Sequence, residues 1–210
     1  MSAELPFDVM TTEEYERQQV VHGGLTDAIR ELIDAGIRTD VDGATALEVT
    51  SAVEAITARL RTAQRTTTST LRDAGTGKPL PWANPIVGLR NAIAPPMVVH
   101  HEDGRCWAEF DLGLPYEGPP GLVHGGICAL VLDHLLGEVA SDGLTKAAFT
   151  GTLELRYLRG TPLGTVRAEA VVDRIEGIKT FARGHLGNAD GWTVEASGVF
   201  IRPAWARDTE

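Results

Sequence analysis

Residues 122–137 read LVHGGICALVLDHLLG and are apolar over nearly their whole length. A helix that is apolar on almost every side belongs in a protein core rather than on a surface. Around this segment the sequence changes to short runs with the alternating pattern of strands, two before the helix and four after it. We therefore predict an α+β fold in which a six-stranded antiparallel sheet wraps around one long central helix.

Turn signals separate the predicted strands. Asp103-Gly104 is a strong hairpin signal because this dipeptide favours a tight turn. Alternating apolar and charged residues over 165–174 suit a sheet with one buried face. The six predicted strands are residues 97–101, 105–111, 149–157, 165–174, 179–186 and 192–201.

Residues 1–75 predict a helical N-terminal extension ahead of a main domain over residues 76–210. The first helix is expected to end at Gly36 as its C-cap. Its apolar residues recur at helical spacing and are Leu25, Ile29, Leu32 and Ile33. A second helix is expected over residues 44–62, before the β-branched run 66–70. One face of it carries Val49, Val53, Ile56 and Leu60.

Composition narrows the classes of function. The formal net charge of −10 argues against nucleic-acid binding, because phosphate backbones attract basic proteins. No apolar run reaches the roughly 18 to 20 residues of a membrane span, and residues 1–19 lack the pattern of a signal peptide. Cys106 and Cys128 have no metal-binding spacing, which favours a reducing compartment. We therefore expect a cytoplasmic globular protein.

Two glycines, Gly125 and Gly126, open the central helix. Glycine at a helix start lets a ligand approach the unpaired backbone N–H groups closely. Together with the helix dipole, these groups could hold the negative oxygen that develops during acyl transfer. The pair is equally compatible with a plain transition from loop to helix.

A carboxylate interrupts the apolar helix at Asp133. A lone ionised carboxylate in apolar surroundings is strongly unfavourable unless it is paired, hydrogen-bonded or protonated. Asp133 could be a general base or a nucleophile towards a carbonyl, or it could lie on a helix face that touches water or a basic group. It lies roughly 12 Å from Gly125 along one helix. A site that uses both therefore needs two helices packed antiparallel in a dimer.

Several segments together resemble hot-dog-fold acyl-CoA thioesterases of the phenylacetate-pathway (PaaI) type. Residues 116–126, YEGPPGLVHGG, followed by Asp133, are similar to the signature of that family. Residues 150–157 and 190–200 are similar to its later strands. The resemblance covers roughly residues 80–203.

The resemblance implies a homodimer, or a dimer of dimers, that hydrolyses an acyl-CoA at its subunit interface. It implies that the backbone N–H of Gly125 or Gly126 polarises the thioester carbonyl, and that Asp133 of the other chain attacks it or activates water. Thr150 would position that water or the carboxylate, and His124 would orient the loop at the helix start. No metal is implied, and no cofactor beyond the CoA that forms part of the substrate.

Substrate contacts are expected at five further positions. Glu117 and Gly118 occupy the stretch where many relatives carry Asn or Gln close to the reacting carbonyl. Arg156, Arg159 and Lys179 are the nearest basic candidates for the phosphates of CoA, although each could equally be a solvated strand residue. These five residues complete the predicted site.

Simple alternation along residues 149–157 predicts which face of the strand Thr150 occupies. It places Thr150 opposite Leu153, Leu155 and Tyr157, on a side that could be an ordinary solvent-exposed face. The assignment of Thr150 to the site therefore rests on the resemblance.

Two other functions are alternatives to hydrolysis. A non-catalytic acyl-CoA-binding or sensing protein with the same fold would keep the helix start but would not need Asp133. A hydratase or dehydratase would need a histidine–acid pair that is placed differently, and the sequence shows none. Asp133 and His134 are adjacent, so their side chains point about 100° apart on a helix.

The role of the N-terminal extension is a separate hypothesis. Short isolated helices are marginal in water, so we expect its two helices to fold over the main domain, covering an edge or narrowing the acyl channel. His22-Gly23-Gly24 repeats the later tripeptide within this extension. No predicted strand flanks it, and we expect the repeat to be coincidental.

Overall fold

The structure is a computed structural model that describes residues 7–64 and 70–207. Its helices and strands in chain order are β1 (Phe7–Met10), α1 (Thr12–Arg38), α2 (Gly43–Arg61), β2 (Thr70–Asp73), β3 (Pro79–Leu80), β4 (His100–Glu102), β5 (Arg105–Leu112), a 3₁₀ helix (Leu114–Tyr116), α3 (Gly125–Ala140), β6 (Phe149–Tyr157), β7 (Gly164–Glu176), β8 (Lys179–Asn188), β9 (Gly191–Ile201) and a second 3₁₀ helix (Ala204–Ala206).

The main body is a six-stranded sheet with the strand order β4-β5-β7-β8-β9-β6. All neighbouring strands in it are antiparallel. The helix α3 packs against β5, β6, β7, β8 and β9, so the sheet wraps around it. The predicted α+β hot-dog arrangement of two strands, one central helix and four strands is confirmed.

The core lies between α3 and the inner face of the sheet. Val131, Leu132, Leu135 and Leu136 of α3 are fully buried, as is Phe200 of β9. Burying one such side chain stabilises the fold by roughly 1.5–3 kcal/mol. The apolar character of residues 122–137 therefore marks the element around which the sheet closes.

The predicted hairpin between β4 and β5 is confirmed. Asp103 and Gly104 have φ angles of 46° and 75°, the left-handed conformation that a tight two-residue turn requires. The first predicted strand, residues 97–101, is wrong in its bounds, because pairing starts only at His100. The N–H of Met97 instead donates to the carbonyl of Pro95 in a turn.

The helix α1 packs along the main body. Thr26 donates its hydroxyl to the carbonyl oxygen of Leu89 at 2.8 Å, and Arg30 Nε donates to the carbonyl oxygen of Ala94 at 3.0 Å. The expected C-cap at Gly36 is wrong. The helix continues through Gly36 and ends at Arg38, because Thr39 is the first residue with extended backbone angles.

The helix α2 lies where a second helix was predicted, but it does not pack on the body. Asp42 caps its start by accepting the N–H of Thr45 at 2.9 Å. None of the residues of α2 is buried. The hypothesis that both helices fold over the main domain is therefore right for α1 and wrong for α2.

A small three-stranded sheet, β1-β2-β3, was not predicted within the extension. β1 pairs in parallel with β2, and β2 forms a hairpin with β3 across the predicted domain boundary at residues 75–76. Asp73 closes the hairpin by accepting the N–H groups of Gly75 and Thr76. The β-branched run that should end the second helix lies mostly outside the described residues, and its last member, Thr70, begins β2.

Across residues 7–64 and 70–207, none of the helices is both long enough and apolar enough to cross a bilayer.

Candidate active site

The start of α3 leaves one backbone donor without an acceptor. His124 is the N-cap, and its Nδ1 accepts the N–H of Gly126 at 2.9 Å, so this nitrogen carries no proton. The carbonyl oxygen of His124 accepts the N–H of Ile127 at 2.9 Å. Within the described part of the chain, the N–H of Gly125 has no hydrogen-bond acceptor. Of the two glycines considered as oxyanion donors, only Gly125 therefore has its N–H available for a ligand.

Tyr157 holds the residue that carries this donor, and the sequence analysis did not assign it a functional role. Its hydroxyl donates to the carbonyl oxygen of Gly125 at 2.8 Å. Burial, followed by the nearby Cys128 thiol, raises the pKa of Tyr157, which keeps this donor protonated. A Cβ on Gly125 would lie 3.3 Å from the tyrosine ring, so any larger residue there would push Tyr157 back by a few tenths of an ångström. In the sequence, the two-residue spacing of Leu153, Leu155 and Tyr157 was the signal that could have placed Tyr157 on the same face of β6 as the two leucines.

The carboxylate and hydroxyl of the predicted site meet in the structure. Thr150 Oγ1 donates to Asp133 Oδ1 at 2.9 Å. Asp133 is partly exposed on α3, beside the exposed Leu130. Asp133 is therefore not a lone buried charge: it is a hydrogen-bonded carboxylate on the face of α3 that reaches solvent.

The face predicted for Thr150 from simple alternation is wrong. Thr150 pairs with Phe200 of β9, whereas Thr152 pairs with Val199, so Gly151 is an extra residue in the strand. Such a β-bulge reverses the alternation on one side of it. Thr150 consequently faces α3, as do Leu153 and Leu155 beyond the bulge.

An exposed apolar surface adjoins these groups. Leu130 of α3 is exposed, and so are Phe149, Tyr157 and Leu158 at the two ends of β6. In the described part of the chain, β6 pairs only with β9 and is an edge strand. Exposed apolar side chains beside a free strand edge are typical of a protein interface.

Two of the residues predicted to contact substrate, Glu117 and Gly118, have structural roles in the loop before α3. Glu117 Oε1 accepts the N–H of Gly121 at 2.7 Å. A Cβ on Gly118 would lie 2.8 Å from the Cα of His124, so this glycine permits a close approach of two backbone segments. Both residues shape the loop that presents His124, and their contact with a substrate stays a prediction.

The three basic candidates lie apart in the structure and have different partners. Arg156 lies on the outer face of β6, 3.7 Å from a carboxylate oxygen of Glu195. Arg159 donates to Asn188 Oδ1 at 2.9 Å and to the carbonyl oxygen of Gly191 at 2.8 Å. Lys179 begins β8 and is exposed. Their contact with CoA phosphates stays a prediction.

Two histidines and a glutamate form a cluster on the other side of α3. His101 Nε2 lies 2.8 Å from Glu138 Oε1, and His134 Nε2 lies 3.0 Å from Glu138 Oε2. The sequence analysis did not single out this cluster. His134 and Glu138 are four residues apart, a spacing that brings side chains together on a helix and could have revealed the pair.

The repeated tripeptide at residues 22–24 and the two cysteines have ordinary structural places. His22-Gly23-Gly24 lies inside α1 and begins no helix. Cys128 is buried, and burial raises the pKa of its thiol. Burial likewise raises the pKa of Cys106 to about 12. Among the described residues, no group of three or more His, Cys, Asp or Glu side chains is arranged to hold a metal ion.

Sequence comparisons give relatives for the part of the chain that contains this site. Residues 120–195 match the Thioesterase superfamily. The acyl-coenzyme A thioesterase THEM4 of Bos taurus is 35% identical over 106 residues, which cover 49% of this chain and 43% of that protein. THEM4 of Xenopus laevis is 36% identical over 109 residues, which cover 50% of this chain and 49% of that protein. The match thus spans less than half the length of these curated relatives.

A solved structure extends the likeness to most of the chain. The crystal structure of a thioesterase superfamily protein is 34% identical to this chain and superposes with a TM-score of 0.77. The superposition covers 86% of this chain and 94% of that one, which places most of the N-terminal extension within the match. The chain therefore belongs to the thioesterase superfamily, and its sheet wrapped around α3 is a hot-dog fold.

Proposed function

We propose that the protein hydrolyses acyl-CoA thioesters to a free acid and CoA. The observation that carries this proposal is the Asp133 carboxylate held by Thr150 at 2.9 Å on the solvent-facing side of α3. The unbound N–H of Gly125 at the start of the same helix supports it. The relatives THEM4 of Bos taurus and Xenopus laevis carry the name acyl-coenzyme A thioesterase.

The active site is proposed to form between two copies of the chain. Gly125 and Asp133 are separated by roughly 12 Å along α3, too far to act on one carbonyl. Two α3 helices packed antiparallel about a two-fold axis bring Gly125 of one copy near Asp133 of the other. The exposed apolar surface beside β6 supports this homodimer, and a dimer of dimers would contain the same site.

Each group has one role in the proposed reaction. The Gly125 N–H binds the thioester oxygen and stabilises the negative charge that develops on it. Asp133 either takes a proton from an attacking water or attacks the carbonyl carbon itself to give an anhydride that water then cleaves. The C–S bond breaks, the CoA sulfur takes up a proton, and the acyl group leaves as the acid.

The surrounding residues position these groups. Thr150 orients the Asp133 carboxylate, and His124 and Tyr157 hold the first turn of α3 in place. The proposal includes no metal and no cofactor apart from the CoA of the substrate. The two buried free thiols suit a reducing compartment, and we propose a cytoplasmic location.

Release of free thiol from a panel of acyl-CoAs tests the function directly. The panel contains short, long and aromatic acyl groups, and CoA release is followed with a thiol reagent under conditions where both cysteines stay buried. We expect turnover of at least one acyl class. Tight binding of acyl-CoA without any thiol release would contradict hydrolysis and would favour an acyl-CoA-binding or sensing protein.

Replacing Thr150 with Val tests whether its hydroxyl orients the carboxylate. The two side chains have nearly the same shape, and the substitution removes one hydrogen bond to a charged group. We expect kcat to fall about 10- to 100-fold, in line with the 1.5–3 kcal/mol of such a bond. Thr150→Ser keeps the hydroxyl and should retain most of the activity. Equal losses in both variants would contradict this role.

A further inference from the structure

The helix α1 is fastened to residues 89–94 of the main body by hydrogen bonds at three places along its length. The middle attachment is the most enclosed, because Thr26 is only 3% exposed. Arg30 makes the attachment that comes last along the helix, and its side chain is largely covered. Residues 89–94 are therefore held in place against α1. The bonded pairs are Gln18 with Arg90, Thr26 with Leu89, and Arg30 with Ala94.

Tyr116 links the same segment to the loop before α3. It ends the 3₁₀ helix Leu114–Tyr116, which α1 also approaches directly. Its hydroxyl donates to the carbonyl oxygen of Ile93 at 3.1 Å, one residue before the carbonyl that accepts Arg30. Burial raises the pKa of Tyr116 and outweighs the opposing charge of Arg30, so the hydroxyl stays protonated as a donor. Adjacent carbonyl groups are thus held by α1 and by Tyr116.

The backbone of Tyr116 in turn holds the N-cap of α3. Its carbonyl oxygen accepts the N–H of His124 at 2.9 Å. Glu117 and Val123, the next residues inward, form an antiparallel bridge, so Tyr116 and His124 stand at the base of a narrow loop. The hydrogen bonds therefore run without a break from Arg30 of α1 to the residue that caps α3.

The position of His124 sets the direction of the proposed oxyanion donor. The N–H of Gly125 belongs to the planar peptide unit that joins His124 to Gly125, so it turns with His124. Tyr157 holds only the carbonyl of Gly125, which belongs to the next peptide unit. An oxyanion donor is effective only where it points at the oxygen on which charge develops. The attachment of His124 to Tyr116 therefore bears on the rate and not only on the fold.

We propose that Tyr116 is a positioning residue for the oxyanion donor of Gly125, and that α1 supports the active site through it by way of Arg30 and residues 93–94. This inference rests on the proposed hydrolysis, which assigns the N–H of Gly125 to the thioester oxygen. It gives the N-terminal extension a role within its own chain, because α1 fixes the loop that presents His124.

Hydrogen–deuterium exchange of the full chain tests this coupling without any substrate. Tyr116→Phe keeps the ring and removes the hydroxyl that bonds to Ile93, and Arg30→Met removes the donor to Ala94. Each should raise the exchange rate of the hydrogen-bonded amides within residues 118–126 about 3- to 10-fold, as expected for one lost hydrogen bond, while β8 keeps its wild-type rate. Unchanged exchange at residues 118–126, or equal acceleration in β8, would overturn the proposal.

Two variants elsewhere on α1 are matched controls. Tyr15→Phe also keeps a ring and removes a hydroxyl, one that accepts Gln19 Nε2 within the same helix. Arg17→Met removes an ion pair within the helix, as Arg30→Met also does. Both controls should show wild-type exchange at residues 118–126. A rise as large as that of Tyr116→Phe would assign the effect to a general loosening of α1 and would overturn the proposal.

Thiol release from acyl-CoA tests the consequence for the reaction. Because the donor acts on the transition state, Tyr116→Phe should lower kcat per folded protein about 3- to 10-fold and change KM less than about two-fold. Adding Arg30→Met should cause little further loss, since both changes break one line of contacts. An active wild type with unchanged kcat in Tyr116→Phe would overturn the positioning role. A wild type that releases no thiol would contradict the proposed hydrolysis instead, and the exchange experiment decides the coupling of α1 to α3 independently.

Discussion

Replacing Asp133 with Asn should lower the rate of thiol release from acyl-CoA by about 10³-fold while the fold stays intact. A positioned general base contributes about 10²- to 10⁴-fold, and a nucleophile at least as much. Asn has nearly the shape of Asp and can still accept the Thr150 hydroxyl, but it can neither take a proton nor attack the carbonyl. The initial rate of thiol release at saturating acyl-CoA gives kcat, and circular dichroism checks that the fold is intact.

A second carboxylate in the chain provides a matched control. Asp111 accepts the hydroxyl of Thr165 at 2.7 Å, the same kind of bond that joins Asp133 to Thr150. Asp111→Asn should therefore reproduce the structural effect of the substitution without the loss of activity. Comparable losses in both variants would contradict a catalytic role for Asp133.

Mixing two inactive variants tests whether the site is shared between chains. Asp133→Asn keeps Gly125, and Gly125→Val keeps Asp133 while blocking the donor. If each site takes one group from each copy, a mixed dimer has one intact site and one doubly defective site. Refolding equal amounts together should restore about one quarter of the wild-type activity, because half of the dimers are mixed and half of their sites are intact. No recovery would contradict the shared site.

Replacing Glu138 with Gln should lower the free energy of unfolding by about 2–3 kcal/mol at pH 7. Glu138 is only 7% exposed and lies within 3.0 Å of both His101 and His134. The hydrogen bond between His101 and Glu138 involves a charged group and contributes about 1.5–3 kcal/mol, of which the neutral amide retains only part. The contact with His134 lacks hydrogen-bond geometry and adds charge attraction only. Urea unfolding followed by circular dichroism measures the difference.

The pH dependence of this loss follows from the pKa of Glu138. Burial alone would raise that pKa, but the short contacts and charges of His134 and His101 outweigh burial and hold it below its usual value of 4.5. The ionised carboxylate therefore stabilises the fold above pH 4.5, and this contribution is lost as the pH falls through the lowered pKa.

Comparing the two proteins across pH checks this assignment. The difference in unfolding free energy between wild type and Glu138→Gln should be full at pH 7 and should shrink below pH 4.5. Glu109→Gln, at an exposed position of β5, should change stability by less than about 0.5 kcal/mol. A difference that stays constant down to low pH would contradict the role given to the ionised carboxylate.

The strand β6 has bounds that the sequence predicts and a side-chain orientation that it does not. The strand was predicted over residues 149–157, and the structure gives the same bounds. The orientation of Thr150 was wrong, because the extra residue at Gly151 follows from the register between β6 and β9. The local pattern carries no information about that pairing, which joins residues some fifty positions apart.

The extension shows the same division between local and long-range information. The apolar periodicity of residues 44–62 predicted α2, and Asp42 and Thr45 supply a local cap. Whether a helix packs on its own body depends on which surface it meets, and only the structure shows that α1 meets one and α2 does not. The cluster of His101, His134 and Glu138 also joins distant segments, since His101 comes from β4.

The sequence by itself determined the central helix, the number and order of the strands around it, and the chemistry available at Asp133 and the paired glycines. These features follow from hydrophobic periodicity and from residue type, which are local properties. The tertiary structure alone decided that the bulge at Gly151 turns Thr150 towards Asp133, that Tyr157 holds Gly125, and that the N–H of Gly125 rather than that of Gly126 is available. Each of these depends on strand register or on a contact between segments far apart in the chain, where geometry and not composition sets the outcome.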